Sequence, residues 1–240
     1  MDRYDQKVEL DDFDKQDPEY QDLLRRILTI QADCEIGGPH LYVEHVLPNA
    51  PTRGMQAVVA RTAAEEIDHF RKMAKLAGDI GTDVSHVLRW SNDERYVEAF
   101  RTHIKDWEGF AVFGFLVDRV GKFQVDEFMD CSYAPLDRAA RSIEPEERGH
   151  IDLGTQLSAD MAAKGGAQKE RVQAAVDYWY PRSLDMFGMS ESHRSERFQY
   201  WGIKQRSNKQ AREAYLAEVN PLIESMGMVV PDPLKDRKYF

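Results

Sequence analysis

Hydrophobic residues recur at helical spacing along most of the chain, and the alternation typical of strands is scarce. The first such pattern predicts a helix from Pro18 to about Val46. The proline-containing segment from Leu47 to Pro51 breaks it, because proline lacks a backbone donor and clashes with the preceding turn. Thr52 is a suitable N-cap for the next helix, which the pattern places from about Arg53 to Leu76.

The later patterns predict further helices separated by turns. One or two short helices are expected in a connector between Val84 and Phe100. A third long helix is predicted from Ile104 to Cys131 and a fourth from Leu136 to about Lys164, with a kink or local adjustment at Pro145. Two further helices follow, at Gln168–Phe187 and Asn208–Gly227.

These elements predict one all-α domain over residues 1–240, a four-helix bundle with additional C-terminal helices. Residues 1–17 are expected to form a short N-terminal arm, and residues 230–240 an extended tail. A hydrophobic fraction of 42%, with four Trp, ten Tyr and eleven Phe, is enough to fill a sizeable core.

Charge and targeting signals narrow the class of protein. The formal net charge of -10 makes nucleic acid and anionic membrane surfaces unfavourable partners. No apolar run approaches the ~20 residues that span a bilayer, and residues 1–16 lack the pattern of a signal peptide. The two cysteines, Cys34 and Cys131, form no CxxC pair. We therefore expect a cytoplasmic protein that binds neither nucleic acid nor membranes.

Two Glu-x-x-His tetrads are the strongest chemical signal. Glu66 and His69 lie on the predicted second helix, and Glu147 and His150 on the fourth. A spacing of three residues puts the carboxylate and the imidazole on one helix face, where both can reach one metal ion. A single tetrad is weak evidence, because a chance histidine on a solvated helix face is about as common.

An acidic residue precedes each tetrad by about thirty residues. Glu35 lies 31 residues before Glu66, and Asp118 lies 29 residues before Glu147. This repeated unit matches the ferritin-like di-iron bundle, in which four helices supply four carboxylates and two histidines. Such donors suit iron or manganese. Taken alone, Glu35 is more simply a surface or interhelical acid. Asp118 alone is more simply paired with Arg119 or Lys122.

Other candidates rank below this set. Three acids compete with Asp118 on the third helix, but their spacing is less suitable: Glu108, Asp126 and Glu127. His40 and His45 lie off the face of Glu35 and are expected to be structural or at the mouth of the site. The Tyr178-Trp179-Tyr180 cluster is most simply core or interface.

An ordered series of motifs resembles the catalytic A subunits of phenylacetyl-CoA epoxidases, from the bacterial phenylacetate catabolic pathway. The resemblance runs from about Tyr20 to Pro233. It is carried by Asp33-Cys34-Glu35-Ile36-Gly37-Gly38, Glu65-Glu66-Ile67-Asp68-His69, Trp107 through Leu116-Val117-Asp118, Ser132-Tyr133-Ala134-Pro135, Glu146-Glu147-Arg148-Gly149-His150, Tyr180-Pro181, Met186-Phe187-Gly188, Ile203-Lys204 and Pro231-Asp232-Pro233. This sequence departs from the family pattern in three places: the basic position just before the second-helix tetrad, the connector before the third helix and the residues on the pocket side. The C-terminal extension expected from the family is absent from this sequence.

The resemblance implies a non-haem di-iron oxygenase that uses dioxygen to epoxidise or hydroxylate an aromatic acyl-CoA thioester. It also implies either a homodimer or a hetero-oligomer with a related bundle subunit. An external reductase is expected to supply electrons. Two alternatives stay open: a non-catalytic structural subunit of such a complex, and a ferroxidase-type iron-binding protein. The six ligand positions are all intact, which argues against the non-catalytic subunit.

The same comparison suggests roles for individual residues. Glu35, Glu66 and His69 would hold one iron, and Asp118, Glu147 and His150 the other, with Glu66 and Glu147 as bridges. Three neighbouring acids are predicted to accept hydrogen bonds from the ligands: Glu65, Asp68 and Glu146. A basic region is a candidate for the CoA phosphates, although a solvated basic stretch is the commoner case: Arg194, Arg197, Lys204, Arg206 and Lys209.

Overall fold

The computed structural model describes residues 4–240, and this part of the chain is built from helices. Within the described residues the only β-type pairing is an isolated bridge between Val8 and Tyr133. The α-helices are α1 (Pro18–Leu41), α2 (Arg53–Asp79), α3 (Trp107–Phe113), α4 (Arg119–Phe128), α5 (Ala134–Ala163), α6 (Gly166–Asp185), α7 (His193–Tyr200) and α8 (Asn208–Ser225). The connector between α2 and α3 contains three short 3-10 helices, at Ser85–Arg89, Asn92–Glu94 and Glu98–Arg101.

Side chains cap the first two long helices at their N-termini. The Asp17 carboxylate accepts a hydrogen bond from the backbone N–H of Glu19 at 2.8 Å. At the start of α2 the Thr52 hydroxyl accepts from the N–H of Met55 at 3.1 Å. These bonds satisfy backbone donors that have no partner within the helix. The predicted N-cap at Thr52 is therefore confirmed.

Four helical segments pack into the predicted bundle. Helix α1 lies along α2, α5 lies along α3 and α4, and α2 contacts α5 across the centre. Helix α6 packs outside α3 and α5, and α8 contacts α4. The chain is thus an all-α, ferritin-like four-helix bundle with additional C-terminal helices, as the sequence predicts.

Two apolar clusters divide the core and leave a polar layer between them. On α2, Ala63 belongs to one cluster and Phe70 to the other. On α5, Met161 and Ile143 are divided in the same way. Both Glu-x-x-His tetrads lie between these residues, so their polar side chains enter the bundle where the apolar packing changes from one cluster to the other.

Two wide π-helical turns interrupt helices that the sequence predicts as regular. One covers Tyr42–Val46, directly after α1. The other covers Gly114–Asp118 and separates α3 from α4, so the predicted third helix is a composite from Trp107 to Phe128. Single π turns of this kind are frequent at functional sites. The second one ends at a predicted metal ligand, Asp118.

The remaining differences lie at the ends and turns. The N-terminal arm is packed rather than free: the Val8 N–H donates to the carbonyl oxygen of Ser132 at 2.7 Å, and Val8 and Phe13 are buried. Helix α5 runs unbroken through Pro145, and α7 is an element that the hydrophobic pattern does not predict. Within residues 4–240, no helix combines the length and apolar character needed to cross a bilayer.

Candidate metal centre

The two Glu-x-x-His tetrads face each other across the α2–α5 contact. Glu66, His69, Glu147 and His150 are all buried. His69 Nδ1 lies 3.2 Å from Glu147 Oε1, on the opposite helix, and 3.8 Å from Glu66 Oε2. His150 Nδ1 lies 3.0 Å from Glu66 Oε1. Each histidine therefore contacts the glutamate of the opposite tetrad more closely than 3.5 Å.

Glu35 joins this cluster from α1. Its carboxylate Oε2 lies 3.5 Å from His69 Nδ1, and its Oε1 accepts a hydrogen bond from the Gln31 amide at 2.5 Å. Glu35, Glu66, His69 and Glu147 each offer one donor atom within 4.8 Å of the others. Such a group is compact enough to surround one metal ion.

Asp118 lies at the edge of the cluster, outside that group of four. Its two carboxylate oxygens are each 3.0 Å from the hydroxyl of Tyr42. Asp118 and His150 line a small cavity together with Thr62 and Gly114. Arg119 and Lys122 bind other acids, Glu218 and Asp126. The alternative in which Asp118 pairs with one of these cations is therefore wrong.

A second acid supports each imidazole from the opposite helix. His69 Nε2 lies 2.7 Å from Glu146 Oε2, and His150 Nε2 lies 2.9 Å from Glu65 Oε2. These contacts are reciprocal, because α5 supports the α2 histidine and α2 supports the α5 histidine. The prediction for Asp68 is wrong: Asp68 is half exposed and pairs with Arg71 at 3.2 Å and Lys72 at 3.3 Å, on its own helix.

The unsatisfied atoms of the site fit a metal. With Nε2 bonded to an acid, the Nδ1 atoms of His69 and His150 point at the carboxylates, are buried and have no hydrogen-bond partner. Orphaned buried polar atoms are rare and call for an explanation. An imidazole whose Nε2–H is held by a carboxylate offers its Nδ1 lone pair to a metal ion. The donors present are oxygen and imidazole nitrogen, the set that suits iron and manganese.

Burial and the neighbouring charges shift the pKa values of the four carboxylates in the cluster. Burial, together with the charges of Glu66 and Glu147, raises the pKa of Glu35 to about 8. Burial also raises the pKa of Glu147 and, more strongly, that of Asp118. In Glu66 the contacts with His150 and His69 outweigh burial and lower the pKa to about 2. Several buried carboxylates therefore repel one another when they are ionised. Divalent cations bound among them would neutralise this negative charge.

The histidines respond to the same carboxylates. Burial lowers the pKa of His150, but Glu66 outweighs this effect and raises it to about 10. The pKa of His69 is likewise raised, because Glu147, Glu35 and Glu66 outweigh its burial. Metal binding to either imidazole therefore has to displace a proton.

The competing residues named from the sequence lie in other contacts. Glu108 accepts from Arg171 at 2.7 Å, and the buried Glu127 accepts from two backbone N–H groups at 205 and 206. His40 contacts Arg95 at 2.5 Å. His45 contacts His103 at 2.8 Å. None of these four residues belongs to the metal-binding group.

Tyr42 is a site residue that sequence reasoning missed. It lies seven residues after Glu35, two helical turns along the same face, and this spacing is the signal that could have found it. Burial is the main cause that raises the Tyr42 pKa, followed by the charge of Asp118. The phenol therefore keeps its proton and donates a hydrogen bond to the Asp118 carboxylate.

A cavity of about 50 Å³ opens beside the carboxylates. Its lining is formed by Gln31, Cys34, Glu35, Gly38, Tyr42, Glu66, Phe100, Val117, Asp118, Gly121, Gln124, Glu147 and Met186. A cavity of ~150 Å³ is large enough to bind benzene. The space seen here suits dioxygen or water, and an aromatic ring would require side chains such as Phe100 and Met186 to move.

Most of the basic residues proposed for the CoA phosphates are engaged with other side chains. Arg197 binds Glu19, and Arg206 lies 3.5 Å from Glu127. Lys204 donates to the Gln124 side chain at 2.7 Å, and Lys209 lies 3.9 Å from Glu213. Four of the five cations thus have a side-chain partner within the protein, and none of these contacts indicates a phosphate site.

The chain is similar to known proteins over most of its length. Residues 6–238 match the family described as phenylacetic acid catabolic protein. The chain is 30% identical to the A subunit of 1,2-phenylacetyl-CoA epoxidase from Escherichia coli (strain K12) over 221 residues, which is 89% of this chain and 70% of that protein. It is 27% identical over 216 residues to benzoyl-CoA oxygenase component B of Aromatoleum evansii, covering 78% of this chain and 46% of that protein.

Proposed function

Since the chain belongs to the phenylacetic acid catabolic protein family, we propose that it is a non-haem di-iron oxygenase acting on an aromatic acyl-CoA thioester. The observation that carries this proposal is the pair of buried, unbonded Nδ1 atoms facing the carboxylates. Each imidazole is already oriented by an acid on its far side. Histidines that bind a metal ion are oriented in this way by an acid on the far side of the ring.

Six residues would hold the two ions: Glu35, Glu66, His69, Asp118, Glu147 and His150. Glu66 is the natural bridge, because its carboxylate lies 3.8 Å from His69 Nδ1 and 3.0 Å from His150 Nδ1. Glu147 would be the second, since it belongs to the α5 tetrad but lies 3.2 Å from the α2 histidine. Manganese is the other metal that this donor set accepts.

Iron bound here would supply the two-electron chemistry that dioxygen needs. The protein itself would position the ligand side chains and exclude water from the site. Glu65 and Glu146 hold the imidazole rings in one orientation, and Tyr42 fixes the Asp118 carboxylate. The small cavity restricts water beside the carboxylates. A thioester-linked aromatic ring would enter along Phe100 and Met186.

We also propose that the chain works within a larger assembly. Both relatives carry names that make them one part of an enzyme with several components. The proposal is therefore that a related bundle subunit or a second copy completes the complex, and that an external reductase would supply the electrons for oxygen activation.

Metal analysis of anaerobically purified protein tests this function first. We expect about two irons per chain, in line with the ferritin-like di-iron bundles, and oxidation of the Fe(II) form by dioxygen. Substrate-dependent oxygen uptake would then be measured with phenylacetyl-CoA and benzoyl-CoA. Protein that cannot be reconstituted with iron would favour a non-catalytic subunit. Iron oxidation without substrate turnover in any reconstituted complex would favour a ferroxidase.

A further inference from the structure

A chain of aromatic rings leads from the candidate metal centre to the protein surface. It begins at Tyr42, whose hydroxyl contacts both oxygens of Asp118 at 3.0 Å. The Tyr42 ring meets Phe113 edge-on, with centroids 5.8 Å apart. Phe113 contacts Trp179 at 4.9 Å, and Trp179 contacts Tyr178 at 5.0 Å. Rings in such contact provide short steps for electron transfer.

Burial changes sharply along this path. Tyr42 and Phe113 have no exposed surface, and Trp179 is 1% exposed. Tyr178 is only half-buried and lines an open surface cavity together with His103, Lys105 and Arg171. The path therefore connects a dry interior site to a position that small molecules in solution can reach.

We propose that Tyr42 donates one electron to the oxidised metal centre when no substrate is present, and that Trp179 and Tyr178 pass the oxidising equivalent to the surface. This inference rests on the proposed function. Tyrosine and tryptophan are the most readily oxidised aromatic side chains and do not accept electrons. Electrons therefore move inward along this path only after the metal centre has oxidised Tyr42, so the path carries an oxidising equivalent outward and does not reduce a resting centre.

Dioxygen is the oxidant for the first step, and it acts through the metal pair that the proposed function requires. Tyr42 loses one electron to the metal pair, which is reduced by one electron. The Tyr42 O–H bond breaks, and its proton forms a new O–H bond on the Asp118 carboxylate. Trp179 then supplies one electron to Tyr42 through Phe113, which serves as a bridge, and Asp118 returns the proton.

Tyr178 completes the sequence by reducing Trp179. Lys105 and Arg182 lie over its ring, at 5.0 and 3.7 Å from the centroid. Positive charge there disfavours a ring cation, so electron loss is accompanied by loss of the phenol proton through the hydroxyl of Thr102, which is in contact with the Tyr178 hydroxyl. A thiol in solution restores Tyr178 by giving up a hydrogen atom.

The experiment follows the radical directly. Fe(II)-loaded protein is mixed with dioxygen without substrate and frozen at intervals for electron paramagnetic resonance, while absorbance follows oxidation of the iron. We expect a transient tyrosyl signal. Tyr42→Phe should remove it, and Trp179→Phe should prolong it, because the equivalent is then held at Tyr42. Tyr215→Phe is the matched control, since Tyr215 is fully buried but bonds to the carbonyl oxygen of Leu116 and to Ser183.

A second readout does not depend on the radical's lifetime. Peptide mass spectrometry after repeated oxidation cycles should show more oxidation of Cys34 and Met186, which line the cavity, in Tyr42→Phe and Trp179→Phe than in wild type or Tyr215→Phe. Circular dichroism and iron content identify any variant that has lost its fold.

The outcomes separate the two proposals. If iron is oxidised but no tyrosyl signal forms, and Tyr42→Phe shows wild-type damage, the electron path is overturned and the proposed function stands. Tyr42 also contacts Phe110, with ring centroids 5.5 Å apart, and Phe110 contacts Trp107 at 5.0 Å. A signal prolonged in Trp107→Phe and unchanged in Trp179→Phe would show that this second route is used and would overturn the one proposed. If Fe(II) is not bound or not oxidised, the proposed function falls and this inference with it.

Discussion

Glu146 on α5 holds the far side of the His69 ring on α2: its Oε2 lies 2.7 Å from His69 Nε2. The next residue along α5, Glu147, lies 3.2 Å from Nδ1 of the same ring. Two consecutive side chains of one helix thus contact both nitrogens of one imidazole on another helix. Glu65 supports His150 from the opposite side in the same way, at 2.9 Å.

This relationship predicts that the outer acids set metal affinity. Glu146→Ala removes the carboxylate that orients His69, and we expect iron affinity to fall by about 10–100-fold, as for other acids that support metal-binding histidines. Competition titration with a chelator would measure the change. Asp68→Ala is the control, because Asp68 contacts only Arg71 and Lys72. Equal losses in both variants would contradict the role given to Glu146.

The bridging carboxylates should be needed for both ions. Glu66→Ala or Glu147→Ala should abolish iron binding, since each removes a donor shared by the two tetrads. Asp118→Ala should instead leave about one iron per chain, because Asp118 lies outside the compact group of four donors. Iron per chain, measured by emission spectrometry, distinguishes these results. Asp126→Asn, whose acid pairs with Lys122, should keep the wild-type content, and wild-type iron in Glu66→Ala would refute the ligand set.

Metal binding should release protons and strengthen with rising pH. In metal-free protein the Glu35 pKa is about 8, so this carboxyl is mostly protonated at pH 7 and must lose its proton to bind a cation. Below pH 8 the apparent affinity should therefore rise by roughly tenfold per pH unit for each proton released. Calorimetry in buffers of different ionisation enthalpy counts those protons. Glu35→Gln should release about one fewer, and a pH-independent affinity would contradict the raised pKa.

Gly154 should tolerate no side chain. A Cβ at this position would lie 2.4 Å from the backbone N of Phe115 and 2.5 Å from the carbonyl carbon of Gly114, and backbone cannot move aside as a flexible side chain can. Gly154→Ala should therefore cost about 1–3 kcal/mol of the free energy of unfolding, as overpacked cores do. Chemical denaturation would measure it.

Gly149 on the same helix provides the matched comparison. A Cβ there meets no atom within 4 Å. Gly149→Ala should stabilise the protein by up to about 1 kcal/mol, because alanine has the higher helix propensity. A similar loss in both variants would show that the effect comes from the helix and has no connection with the close approach to Gly114.

The sequence predicts the clustering of the two tetrads because helical spacing alone orients the residues within each of them. Glu66 with His69, and Glu147 with His150, follow from the three-residue interval. The acid spacing led to Glu35, which contacts His69 at 3.5 Å. What spacing cannot give is the axial register between helices, and that register decides which outer acid reaches which ring. For this reason Glu65 and Glu146 each reach a histidine ring, as predicted, and Asp68 does not.

Other features depend on tertiary packing in a similar way. Tyr42 lies on the face of Glu35, but its contact with Asp118 joins residues 76 positions apart. Helix α7 is short and polar, so its hydrophobic pattern is too weak to predict it. Helix α5 continues through Pro145, because a helix supported by packing along its whole length can include a residue that lacks one backbone donor.

The π turn at Gly114–Asp118 places α3 and α4 out of phase with each other. A π turn contains one residue more than an α turn, and each residue of an α-helix turns the chain by about 100°. Deleting a single residue within this turn would merge α3 and α4 into one continuous helix and rotate Asp118 away from Tyr42. A related chain that lacks this π turn should therefore align with a one-residue gap here. Without that gap, the alignment would place every position of α4 on the wrong face.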